Sequence, residues 1–162
     1  MKASPAELRK IFRYDPKNGF LWWRKPAPKR RLDRPAGTWN KDGYVRISYN
    51  YHPYLAHQII WAIVKGVWTK EIDHRNTIRS DNRWKNLRSV TRTQNNANLP
   101  RLKSNTSGFK GVYFCQNTSR WRARISIHKQ VICLGRFDAP EEAHAAYAKA
   151  AKKYFGEFAR IS

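Results

Sequence analysis

Asp73 and His74 stand side by side in EIDHRNTIRSDNRWKNLRSVTRTQN, residues 71–95, with Asn86 twelve positions beyond His74 and Asn95 nine beyond that. Hydrolysing a phosphodiester with a divalent cation needs oxygen ligands for a hard metal and a base that takes a proton from water. Asp73 can ligate Mg²⁺ through a carboxylate oxygen, Asn95 can offer an amide oxygen, and His74 can accept a proton near neutral pH. Most other ionisable side chains in the stretch are Arg or Lys, and like charge biases His74 towards the neutral form a general base requires. An adjacent Asp–His pair on its own usually serves a loop hydrogen bond. The spaced asparagines make this pair a candidate site.

The elements that must hold these residues are legible in outline. PAELRKIFRYDPKNGFLWWR reads as a short helix, a DPKNG turn and an aromatic strand over 20–23. Asp42-Gly43 marks a turn, and residues 44–49 alternate like a strand. Leu55, Ile59, Ile60 and Ile63 share one helical face, and Gly66 ends that helix. Residues 71–74 then read as a short strand, RNTIRSDN as a loop, and Asn86 onward as a helix or its entry, a strand-loop-helix unit. His57, beside Ile59-Ile60, reads as a packed structural histidine. Lys29-Arg30-Arg31 reads equally as a solvated loop or as a grip on backbone phosphates.

Net charge of +22, from 33 Lys plus Arg against 11 Asp plus Glu in 162 residues, points to a polyanionic partner, because neutralised phosphates release condensed counterions. The excess runs through both 1–96 and 97–162, so both parts are expected to touch the polymer. With 41% hydrophobic and 14% aromatic residues the chain can bury a core, which excludes a disordered basic tail. The longest apolar run, near residues 59–64, is far too short to span a bilayer, and MKASPAELRK lacks a signal-peptide core. Cys115 and Cys133 form no CxxC pair, so neither a zinc ribbon nor a disulfide framework is signalled. The expectation is a soluble protein of the cytoplasm with no membrane partner.

Residues 97–106, in NANLPRLKSNTSG, carry little apolar pattern and read as a linker. Beyond it, Trp121, Ala123, Ile125 and Ile127 alternate with Arg120, Arg122, Arg124 and Ser126, giving a strand with an apolar face and an arginine-rich one. GVYFC and VICLGRF flank it as further strands of a three-stranded antiparallel sheet. An alanine-rich helix follows, with Asp138 as N-cap, Glu141 three residues on, and a stripe through Ala143, Tyr147, Ala150 and Ala151.

Asp73-His74, Asn86 within NLR and Asn95 within TRTQN resemble the HNH nucleases, whose ββα-metal fold carries a His, an Asn and then a His or Asn. GYVRISYNYHPYLAHQIIWAIVKGVW is similar to the lead-in of phage and intron-encoded homing members, so the likeness covers roughly residues 10 to 98. The resemblance implies one divalent ion, Mg²⁺ or Mn²⁺, on Asp73 and Asn95, with His74 as general base and Asn86 bracing the loop that carries it. It also implies cleavage to 5′-phosphate and 3′-hydroxyl ends. SGFKGVYFCQNTSRWRARI and LGRFDAPEEAHAAYAKAA resemble the Apetala/ethylene-response-factor type of DNA-binding domain. That likeness implies a sheet laid against DNA through Lys110, Tyr113, Arg120, Arg122 and Arg124. This chain has Tyr113 and Cys133 where plant members carry Arg and Trp, so their base specificity does not transfer.

The expected fold is therefore α+β: an N-terminal HNH domain over 1–96, a linker over 97–106, and a three-stranded sheet on one helix over 107–162. The expected activity is metal-dependent endonucleolytic cleavage of double-stranded DNA by a monomer. The alternative is a non-enzymatic DNA-binding transcription regulator that keeps an inactive HNH remnant. An RNA-binding or ribosome-associated protein would rest on charge and aromatic content alone.

Overall fold

A computed structural model of the chain describes residues 2–28 and 30–161, and its contacts divide the chain into two compact units, Met1–Ser89 and Val90–Ser162. Lys29, of the basic run, lies outside the described residues.

The first unit opens with α1 (Pro5–Ile11), whose Ser4 cap accepts a hydrogen bond from the Glu7 amide at 3.1 Å. β1 (Phe12–Asp15) and β2 (Phe20–Trp23) form a hairpin. Its turn is held by the Asp15 carboxylate, which accepts from the amides of Lys17 and Asn18. A second sheet orders β3 (Thr38–Trp39), β4 (Val45–Tyr49) and β5 (His52–Leu55) antiparallel. α2 (Ala56–Lys65) follows directly and stops at Gly66, which adopts a left-handed φ of 76°. Leu8, Phe12, Ile47, Ile59 and Ile60 are sealed in the core that these elements share.

β6 (Ile72–His74) pairs with β7 (Leu87–Ser89), putting Asp73 opposite Arg88 and His74 opposite Leu87. The strand-loop-helix expectation missed β7. Only three residues long, it turns both Leu87 and Arg88 into the interior, so no period-two alternation signals it. A 3₁₀ turn at Trp84–Asn86 precedes it, and Trp84 packs on Trp61 of α2 with ring centroids 5.2 Å apart.

The second unit begins with α3 (Arg92–Asn98), started by a capping box in which Thr91 and Gln94 satisfy each other's backbone amides. β8 (Val112–Cys115), β9 (Arg120–Ile127) and β10 (Gln130–Phe137) form an antiparallel sheet in the order β10-β9-β8. Val112, Ala123 and Ile125 bury one sheet face together with Ala143, Tyr147, Ala150 and Ala151 of α4 (Pro140–Phe155). Gly111 lets the helix come this close: a Cβ there would sit 2.2 Å from the Tyr147 ring, and its φ is 75°. The expected Asp138 cap is not made. α4 is preceded by Ala139 without a side-chain cap, and Asp138 Oδ1 instead forms an ion pair with Arg120 Nε at 3.1 Å. Three small sheets in addition to the β6–β7 pair, with four α-helices, make the fold a mixture of α and β.

Candidate active site

Side chains from adjacent positions of one strand point to opposite faces, so β6 presents Asp73 and His74 in different directions. Asp73 Oδ2 accepts from Arg88 Nε at 2.9 Å and lies 2.8 Å from the second guanidinium nitrogen; the two side chains are 7% and 8% exposed. The cross-strand register sets this pair directly opposite. Removing either partner alone would strand a buried charge, at a cost of about 3–5 kcal/mol.

His74 is buried, and its Nε2 lies 3.1 Å from Oδ1 of Asn82, which is 2% exposed. The Asn82 amide nitrogen donates to the Ser80 carbonyl at 3.3 Å, which turns the amide oxygen towards the imidazole. With Asn82 turned this way, its oxygen accepts from His74 in the tautomer that carries the proton on Nε2. Burial lowers the His74 pKa, opposed by the Asn82 hydrogen bond and the nearby charge of Asp73, with Arg79 a smaller lowering influence. Desolvation, more than the arginine-rich sequence, thus keeps the ring neutral. His57 packs edge-on against His74 with centroids 5.0 Å apart, and the Tyr44 ring lies 5.3 Å from His57 and 5.9 Å from His74. His57 falls to a pKa of about 3, mainly through burial and then through the charge of His74.

Asn86 spans the loop after His74. Its Oδ1 accepts from the Asn76 amide at 3.0 Å, its Nδ2 donates to the Asp81 carbonyl at 2.7 Å, and its own carbonyl accepts from the Arg75 amide at 2.9 Å. Asp81 ties the same loop to Asn76 and Arg83; the Arg83 hydrogen bond holds its pKa down at about 2. The N-terminal hairpin supports the loop from outside. Tyr14 donates its hydroxyl to the Asn82 carbonyl at 2.9 Å, and a Cβ on Gly19, whose φ is 77°, would lie 2.5 Å from the Arg83 amide nitrogen. Asn82, Arg88, Tyr14 and the contact of His57 with His74 were not foreseen. Their only sequence signal is the density of Asn and Asp after His74, which marks a loop rich in side-chain-to-backbone bonds.

Asn95 lies on α3 of the second unit. There the strand registers set Tyr113 beside Arg122, Cys115 beside Arg120 and Arg136 beside Arg122 on the sheet face opposite to α4. The Arg124 guanidinium stacks 4.7 Å from the Tyr113 ring centroid. Lys110 is placed apart from this surface. Its ammonium donates to the carbonyls of Ala97 and Leu99, both at 2.6 Å, and so completes the end of α3. Burial, with the charge of Arg160, lowers its pKa to about 8.

Among the described residues no group of three or more His, Cys, Asp or Glu gathers to hold a metal. A carboxylate and an amide oxygen still suit a hard cation that keeps several waters and takes further oxygens from phosphate. Arg88 engages Oδ2 of Asp73. Carboxylate and amide oxygens are donor types that suit a hard divalent cation.

No curated protein and no solved structure matches the chain. Residues 54–97 match the model of the HNH endonuclease family. The matched segment runs from β5 through α2, β6 and β7 into α3, so it lies in mid-chain and not at the N-terminus as expected. The stretch that holds Asp73, His74, Asn86 and Asn95 is thus similar to HNH endonucleases, and that similarity points to a nuclease.

Proposed function

We propose that the protein is a divalent-metal-dependent endonuclease that hydrolyses phosphodiester bonds of double-stranded DNA, of the homing type. The observation that carries this reading is the buried pairing of His74 Nε2 with Asn82 Oδ1, inside the segment similar to HNH endonucleases. In this reading a neutral His74 takes a proton from water as the oxygen attacks phosphorus. The P–O3′ bond then breaks, giving a 5′-phosphate and a 3′-hydroxyl. Asn86 fixes the loop that presents His74. Asp73 and Asn95 would hold the cation, Mg²⁺ or Mn²⁺, which supplies stabilisation of charge on the phosphate and leaving oxygens. Arg120, Arg122 and Arg124, with Tyr113, offer the sheet of the second unit to the DNA backbone, so phosphate contacts outweigh base readout.

One observation favours a second reading, a DNA-binding regulator with an inactive HNH remnant: the guanidinium of Arg88 engages the carboxylate that would ligate the metal. Conversion of supercoiled plasmid to nicked or linear DNA separates the two. Cutting by the wild type with Mg²⁺, lost with EDTA and in His74→Ala, supports the nuclease. A folded wild type that binds DNA but cuts nothing with Mg²⁺ or Mn²⁺ supports the regulator.

A further inference from the structure

In the first unit the loop residues 30–37 and strand β4 face each other across an open cleft of about 750 Å³. Arg30 and Arg34 from the loop and Arg46 from β4 line it, and among its described lining residues there is no carboxylate. Arg31 also lines it, but its guanidinium is spent on Asp33 at 3.0 and 2.6 Å. Arg30 is held in place: its guanidinium lies 4.8 Å from the Trp23 ring centroid and 5.4 Å from that of Tyr49. A planar fork stacked in this way keeps its N–H edge for an anion and loses little freedom on binding one.

The rim carries a second, independent feature. Asn50 and Tyr51 join β4 to β5 with φ of 47° and 61°, both left-handed. A two-residue hairpin turn of this kind favours Asn at the first position and Gly at the second. Tyr at the second position is strained, and its side chain is fully exposed, at 106%. An aromatic ring presented to solvent from a strained backbone, beside Arg30, Arg34 and Arg46, is what a sugar or base next to a phosphate would meet.

We propose that this cleft is a second DNA-binding site, in which Arg30, Arg34 and Arg46 grip the sugar–phosphate backbone and Tyr51 packs against the adjoining nucleoside. The proposal rests on the DNA-cleaving reading for its choice of polymer, and it adds a grip to the unit that carries His74. The full-length chain is titrated with a fluorescent DNA duplex in EDTA at several salt concentrations, as wild type, Arg34→Ala/Arg46→Ala, Arg34→Lys/Arg46→Lys and Tyr51→Ala. Loss of two phosphate contacts should flatten the slope of log K against log salt by about 1.8. The lysine variant should keep most of the slope, and Tyr51→Ala should weaken binding with the slope unchanged.

A wild-type slope and affinity in the double alanine variant, shown to be folded by its circular dichroism, would overturn the proposal. So would loss of binding confined to an RNA duplex of the same length. Because EDTA removes cleavage from the measurement, a flattened slope with no plasmid cutting by the wild type would sink the nuclease reading and leave the cleft standing. Plasmid cutting with an unchanged slope would sink the cleft alone.

Discussion

Oδ1 of Asn82 and Nε2 of His74 meet at 3.1 Å in the interior of the first unit. With the amide oxygen as acceptor the bond favours the Nε2–H tautomer, a role more often filled by a backbone carbonyl or carboxylate than by a loop amide. Asn82 is itself held through its backbone, since its carbonyl accepts from Tyr14. The setting of the His74 ring therefore depends on Tyr14, 68 positions before Asn82 in the chain.

Asn82→Ala should leave the Nε2 proton without its acceptor and let the ring sample the other tautomer. The expected result is a fall of about 10- to 100-fold in single-turnover cleavage, the range seen when an outer partner of a site histidine is removed. DNA affinity measured in EDTA should not change. Equal cleavage rates in the two proteins would remove Asn82 from the site.

The pH dependence of folding should report His57. Its folded pKa of about 3 lies below the unfolded value of 6.5, so between these values the unfolded chain binds the extra proton. That contribution is complete above pH 6.5 and is lost as pH falls through the window to about 3, at up to about 1.4 kcal/mol per pH unit. Urea midpoints of the wild type should drop between pH 7 and pH 4 more steeply than those of His57→Phe. Parallel curves would show that His57 does not titrate on unfolding.

Arg88→Met should destabilise the first unit by about 3–5 kcal/mol, because Asp73 would keep a buried charge with its opposite removed. Asp73→Asn combined with Arg88→Met should recover much of that loss, as read by urea denaturation. Asp73→Asn alone should raise the Mg²⁺ concentration needed for cutting. An unaltered metal titration would take Asp73 out of the coordination sphere.

Lys110 and the sheet arginines should separate cleanly. Lys110→Met deprives the carbonyls of Ala97 and Leu99 of a donor and should cost about 1–3 kcal/mol in stability, with the salt slope of DNA binding retained. Arg122→Ala and Arg124→Ala should each flatten that slope by about 0.9. A flattened slope for Lys110→Met would return it to the DNA surface.

The strands with the clearest alternation were the most legible. Trp121, Ala123, Ile125 and Ile127 face inward from β9 as their spacing requires, and α2 follows its apolar stripe to Gly66. Asp73 and His74 could be picked out because their residue types state a chemistry. β7 could not, because Arg88 is drawn inward by a carboxylate on another strand, a preference that no local periodicity encodes. Asn82 was hidden for a similar reason: the Tyr14 hydroxyl that holds its carbonyl comes from 68 positions away, and the loop that brings it back to His74 has no periodic pattern. The Asp138 cap had every local mark, and a tertiary partner, Arg120, claimed its carboxylate.

Gly19 bears on where the chain could be cut to make a working fragment. Its bare α-carbon seats the first hairpin against the backbone of Asn82 and Arg83, and Leu8, Phe12 and Ile47 fill the same core as Ile59 and Leu87. A peptide of residues 54–97 alone would carry Asp73, His74, Asn86 and Asn95 yet lack the wall on which their loop is set. Any transplant of the His74 loop into another protein must take the opening fifty residues of the first unit with it.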